Sequence, residues 1–160
     1  MRYLAVDLGQ KRTGLAVGDD ITRLVQPYEV VTAPLGPRLF EALARAIDDI
    51  GPDVVVVGLP ANMDGTEGPA AAAVRSFGAE LARLNRVRVE FQDERLTSFA
   101  AEQRLHRSGR TRQEKKELRD ALAAAEILRD YLGRGTANDD KGDDDGDDPG
   151  TDGDANDDRS

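Results

Sequence analysis

Hydrophobic residues in the first 135 positions follow two periods, every second residue and every third to fourth, and the switches between them outline the elements. Residues 2–8 and 13–18 read as two strands joined by a short glycine-containing turn, an antiparallel hairpin. A third strand is predicted around Arg23–Thr32, where Pro27 restricts it to an edge or a break. Pro37 suits the first turn of a helix, and Leu39, Leu43, Ile47 and Ile50 follow at helical spacing before Gly51-Pro52 ends it. Val54-Val55-Val56-Val57 is a strand buried on both faces, as expected at the centre of a parallel pair covered by helices. Pro69 opens a second helix with the stripe Val74, Phe77, Leu81 and Leu84, and Val87, Val89 and Phe91 alternate as a half-buried fifth strand. Thr97 or Ser98 can cap a helix through about Arg107. Ser108–Gln113 then reads as a mobile basic loop. A final helix from about Glu114 to Leu132 carries Leu118, Leu122, Ala125, Leu128 and Leu132 inward and is stopped by Gly133. The order β-β-β-α-β-α-β-α-α predicts an α/β domain, with a five-stranded mixed sheet (an antiparallel meander, then parallel strands) flanked by helices.

Charge divides the chain in two. Residues 136–160 hold eleven Asp against Lys141 and Arg159, which accounts for the whole net charge of −9. With almost nothing apolar, that segment cannot offset its ordering entropy and is expected to be a disordered acidic tail. It is suited either to compete with phosphates for the basic loop or to serve as a solubilising appendage. Residues 1–135 form one domain's length and are electrically balanced, so the acidic composition says nothing against a nucleic-acid partner for that body. Within the body, Arg104, Arg107, Arg110, Arg112, Lys115, Lys116 and Arg119 form a basic stretch. The absence of cysteine excludes disulfides and thiolate metal sites. No signal-peptide pattern or membrane-length apolar run is present, so a cytoplasmic protein without a membrane partner is expected.

Three carboxylates on three segments carry the candidate chemistry. Asp7 closes the apolar run Tyr3–Val6 and is followed by Gly9, Lys11, Arg12 and Gly14, a combination that suits either a metal or a phosphate. Glu94 follows the fifth strand, and Asp120 lies in the last helix beside Ala123, Ala124 and Ile127. Acidic groups on a central strand, on a neighbouring strand and on a facing helix can converge. Oxygen ligands without His or Cys suit Mg²⁺ or Mn²⁺ rather than zinc, and two such ions can drive phosphodiester cleavage. Asp93 and Asp64 are weaker candidates, and His106 is expected on a solvated helix face. Lys11, Arg12, Arg110, Arg112 and Lys116 are candidate phosphate contacts, and Asn62 is a candidate substrate contact or a loop-forming residue. The few aromatics point to recognition by shape and backbone rather than by base stacking.

Four motifs in order make the reading specific. Asp7-x-Gly9-x-Lys11-x-x-Gly14, Val57-Gly58-Leu59-Pro60-x-Asn62-Met63-Asp64-Gly65, Asp93-Glu94-Arg95-Leu96-Thr97 and Lys116-x-x-x-Asp120-x-x-Ala123-Ala124-x-x-Ile127-Leu128 resemble the YqgF/RuvX family over residues 2–132. The resemblance implies the RNase H-like fold shared with RuvC resolvases and assigns Asp7, Glu94 and Asp120 to an acidic metal-binding triad. It also implies a metal-dependent nuclease that processes the 5′ end of precursor 16S ribosomal RNA. The alternative it carries is Holliday junction resolution, which needs two active sites and hence a homodimer. Glu126 departs from the motif, standing where an apolar residue is expected.

Two other readings compete. A strand–Asp-x-Gly–strand hairpin also cradles nucleotide phosphates in actin-like ATPases and sugar kinases, but those proteins need two such domains and this body has room for one. A non-catalytic nucleic-acid-binding or ribosome-assembly factor could keep the fold, but all three acidic positions are filled here.

Overall fold

The computed structural model describes residues 1–62, 64–94 and 112–139, with side chains of the last helix described for 118–133. Its strands are β1 (Arg2–Leu8), β2 (Thr13–Asp19), β3 (Val25–Val31), β4 (Val54–Leu59) and β5 (Arg88–Asp93). Its helices are α1 (Pro37–Ile50), α2 (Pro69–Asn85) and α3 (Arg112–Asp139). The expected helix through Arg107 and the loop at 108–111 lie outside the described residues, as do His106, Arg110 and the tail from residue 140.

The sheet order is β3-β2-β1-β4-β5. β1 pairs antiparallel with β2, and β2 with β3, while β4 runs parallel to β1 and β5 parallel to β4. Pro27 stands on the edge strand as its missing N–H requires, and the β2–β3 register slips between Leu15 and Ala16 where Pro27 pairs. β4 is buried along its whole length, as its four valines demand. Pro37 and Pro69 each begin a helix, and α1 ends on Gly51, whose φ of 63° lets its N–H reach Ile47 O at 2.8 Å.

The alternation of the strands separates two cores. Leu4, Val6, Leu15, Val55 and Val57 face α1 and α2, which contribute Leu39, Leu43, Ile47, Val74, Phe77 and Leu81. Tyr3, Ala5, Ala16, Val54 and Val56 face α3, which contributes Ala124, Ala125, Ile127, Leu128 and Leu132. The second core is built largely from small residues, so α3 lies close to the sheet.

Three expectations need correction. Leu84 is 50% exposed rather than part of the α2 stripe, whose buried positions are Ala71, Val74, Phe77, Gly78 and Leu81. α3 begins at Arg112 and passes through Gly133 to Asp139. An exposed glycine in a helix costs only about 1 kcal/mol against alanine, and no proline follows until Pro149 to force a break. Leu118 and Leu122 are only half-buried, whereas Ala121, Ala123 and Ala124 are buried, so the helix face against the sheet is rotated toward its alanines.

Candidate active site

Asp7 is the last of the alternating residues Tyr3, Ala5 and Asp7 that β1 directs toward α3. It pairs in register with Gly14 of β2. Directly opposed residues in an antiparallel pair share a face, so Gly14 lies beneath the same helix. A Cβ on Gly14 would stand 1.8 Å from the backbone oxygen of Asp120. Only a glycine lets α3 come down beside Asp7, and the close approach fixes the backbone that carries Asp120.

β4 and β5 deliver Glu94. The Glu94 N–H donates to Leu59 O at 3.3 Å, continuing the β4–β5 ladder one residue beyond β5. Val54, Val56 and Gly58 share a face, and a Cβ on Gly58 would lie 2.5 Å from both Glu94 Oε2 and Ile127 Cδ1. The notch at Gly58 therefore admits the Glu94 carboxyl between sheet and helix, where it hydrogen-bonds the Asp7 carboxyl. Because β1, β4 and β5 are parallel, their C-terminal ends lie on one rim, and both acids stand there.

Burial raises Asp7 above the ordinary aspartate range, the Glu94 hydrogen bond opposes this and the Asp120 charge adds to it. Burial, then the Asp7 charge and hydrogen bond, then Asp93 push Glu94 up to about 8. In the absence of a cation the two carboxyls share one proton, which Glu94 holds and donates toward Asp7. Asp120 is raised by burial and lowered by Arg12 and Arg119.

Asp120 is held differently from its two partners. Its Oδ2 lies 3.1 Å from Arg12 Nε, both side chains being largely covered. The contact lacks the direction of a hydrogen bond, so among the described residues this buried oxygen has no hydrogen-bond donor. The structure thus joins Asp7 and Glu94, places Asp120 within electrostatic reach of Asp7 and turns its carboxylate to Arg12. Among the described residues, no three Asp, Glu or His side chains stand close enough together to hold a metal ion as they are. The donor set still fits a hard divalent cation: all ligands are oxygen, one buried carboxylate oxygen lacks a donor, and a cation can replace the shared proton.

The other candidates are more dispersed. Lys11 is exposed in the β1–β2 turn. Asn62 closes its own loop: its Nδ2 donates to Thr66 Oγ1 at 2.9 Å and its N–H to Thr66 O at 2.8 Å. Asp64 accepts from Thr66 in the same turn. Arg112 and Lys116 lie in the first turns of α3, with side chains outside the described residues. Glu126 is buried and accepts from Arg129 Nη1 at 2.7 Å, while Arg129 Nη2 donates to Val25 O at 3.2 Å on the edge strand. An acid at this position is accommodated by pairing, not by exposure.

Sequence reasoning missed Gly58, Gln92 and the Arg12–Asp120 pair. The signal for Gly58 was its place as the next same-face residue after Val54 and Val56, beside a carboxylate-bearing strand. Gln92, which pairs with Gly58 on that face, is 3% exposed, and its Oε1 lacks a partner among the described residues.

A five-stranded mixed sheet in this order, with helices on both faces, has the RNase H-like architecture, and two acids on its rim with a third on the covering helix form the candidate site. The profile of the RuvX family, described as Holliday junction resolvase, matches residues 1–134. A relative from Anaeromyxobacter sp. (strain Fw109-5), called "Putative pre-16S rRNA nuclease", is 44% identical over 132 residues, covering 82% of this chain and 96% of its own. The chain belongs to the RuvX family. Among solved structures, the fowlpox virus Holliday junction resolvase matches with a TM-score of 0.55 and 14% identity, covering 84% of this chain and 99% of its own. RuvC from Thermus thermophilus matches with a TM-score of 0.51 and 19% identity, covering 85% and 98%. At such identities these two establish the shared fold.

Proposed function

We propose that this chain is a divalent-metal-dependent nuclease whose substrate is precursor 16S ribosomal RNA and whose ligands are Asp7, Glu94 and Asp120. The observation that carries the reading is the half-buried Asp7–Glu94 pair, two acids brought together at the strand rim over Gly58 and sharing a proton. Such a pair is costly unless a cation takes the place of that proton. Asp120 supplies a third carboxylate from the facing helix. When bound, Mg²⁺ or Mn²⁺ activates water and neutralises charge at the leaving oxygen, and a two-ion arrangement would do both. Lys11, Arg12, Arg110, Arg112 and Lys116 hold substrate phosphates, which provide affinity without sequence preference. The Asn62 loop borders the rim beyond β4. The pre-16S assignment rests on the names of the relatives, and a role in ribosomal RNA processing supports a cytoplasmic location; among the described residues no helix is long and apolar enough to cross a membrane.

The family description and the resolvase neighbours favour a second substrate, branched DNA, which would require a homodimer. A cleavage panel with Mg²⁺ or Mn²⁺ separates these readings, using precursor 16S RNA, single-stranded DNA and a four-way junction. Asp7→Asn should reduce cleavage by at least 10³-fold, on the order of the loss of an essential electrostatic group, with unchanged circular dichroism. Metal-dependent cleavage retained in that variant refutes the assignment.

A further inference from the structure

We infer that Arg12 gates the site, holding Asp120 away from the cation position until a substrate phosphate draws the guanidinium off. This rests on the proposed metal site and adds an order to its assembly.

The β1–β2 turn directs Arg12 across the rim. A Cβ on Gly9 would lie 2.3 Å from Arg12 O, so the turn is folded tightly back on itself. From there Arg12 Nε reaches Asp120 Oδ2 at 3.1 Å. The backbone of Asp120 cannot yield, because it is pressed against Gly14. Its carboxylate therefore chooses between Arg12 and the acids of the rim by side-chain rotation alone.

The pair is built to be exchanged. Arg12 approaches Oδ2 without hydrogen-bond direction, leaving that buried oxygen unsatisfied among the described residues. A phosphate offers the guanidinium two aligned acceptors, a better partner than the one it has. A cation offers Oδ2 the ligand it lacks. Each arrival removes the obstacle to the other, so nucleic acid and metal bind cooperatively through the exchange, and the coupling is reciprocal. A fixed structural ion pair would have no such effect.

The test reads binding rather than turnover. Mn²⁺ is titrated calorimetrically into the full chain, with and without a non-hydrolysable RNA oligonucleotide. Without RNA, Arg12→Gln should bind Mn²⁺ about tenfold more tightly than wild type, about 1.4 kcal/mol. Arg12→Lys, which keeps the charge, should stay near wild type. Lys11→Gln removes an equal charge from the same turn and should gain less than about threefold, the share due to the general field. RNA should tighten Mn²⁺ binding more in wild type than in Arg12→Gln, by about the same tenfold. If Arg12→Gln binds no more tightly than wild type or than Lys11→Gln, the gate is refuted while the metal site stands. If wild type binds no Mn²⁺ with or without RNA, the metal reading falls and the gate with it. The partner residue gives an independent check should Arg12→Gln not fold. In EDTA, Asp120→Asn frees Arg12 and should bind RNA several-fold more tightly than Asp7→Asn, which removes an acid without freeing it. Equal affinities refute the gate.

Discussion

Raising the pH of the metal-free chain from 5 to 8 should weaken its fold. In the folded state Glu94 keeps its proton up to about 8, whereas in the unfolded chain it is released near its ordinary value of 4.5. Between those limits the folded state binds more protons, so stability is full below the lower value and declines as the pH rises through the window. Each pH unit there is worth about 1.4 kcal/mol, which sets a ceiling of about 5 kcal/mol. Glu94 is only partly shielded and shares its proton with Asp7, so about 2–3 kcal/mol is expected. Asp20, Glu67 and Glu80 are held below their ordinary ranges by hydrogen bonds from the N-terminus, Arg75 and Arg83 respectively, and their contributions are lost only at more acid pH. Urea unfolding in EDTA, followed by circular dichroism at four pH values, measures the slope. Glu94→Gln should remove most of it. At pH 8, Mg²⁺ at about a hundred times its Kd should restore about 2.7 kcal/mol. A wild-type stability that is flat or rising over this range, or a Glu94→Gln slope as steep as wild type, refutes the shared-proton account.

Two packing substitutions test how the site is held. Gly14→Ala would drive a methyl into the Asp120 carbonyl, so α3 must lift. A loss at or above the 1–3 kcal/mol usual for overpacking is expected, together with a fall in cleavage. An unchanged urea midpoint would show that the helix does not rest on β2 there. Leu128→Ala removes a fully buried side chain from the α3 core and should cost about 2–5 kcal/mol by the same measurement. A cost below 1 kcal/mol would mean that α3 is not an integral layer.

The mixed sheet, with its central and edge strands, was legible because each strand rests on a local signal. Four valines without a polar break announce a central strand, Pro27 announces an edge, and Asp7 interrupts an apolar run at its end. The shared face of Asp7 and Gly14 follows from register, which no single segment reveals. Arg12 was legible as a cation, but its partner Asp120 lies at the far end of the domain in sequence. Leu84 and Gly133 misled for a common reason. Periodicity says where a helix could bury a residue or stop, while the packing around it and the absence of a nearby proline decide whether it does. Glu126 breaks the apolar pattern and is tolerated there because Arg129, one turn along, is its counterion.

The two hydrophobic cores give the chain a division of labour that bears on how it can change. Every acid of the proposed site lies on the α3 side, at the sheet rim or on α3 itself. The layer formed by α1 and α2 packs on the opposite face of the sheet. Substitutions on that layer can raise or lower melting temperature with little consequence for chemistry, a reserve of stability that drift or engineering can draw on. The α3 side has no such freedom: its alanines and glycines set a clearance that any larger side chain would alter. Divergence within the lineage should therefore concentrate on the surfaces of α1 and α2, and attempts to thermostabilise the enzyme should begin there.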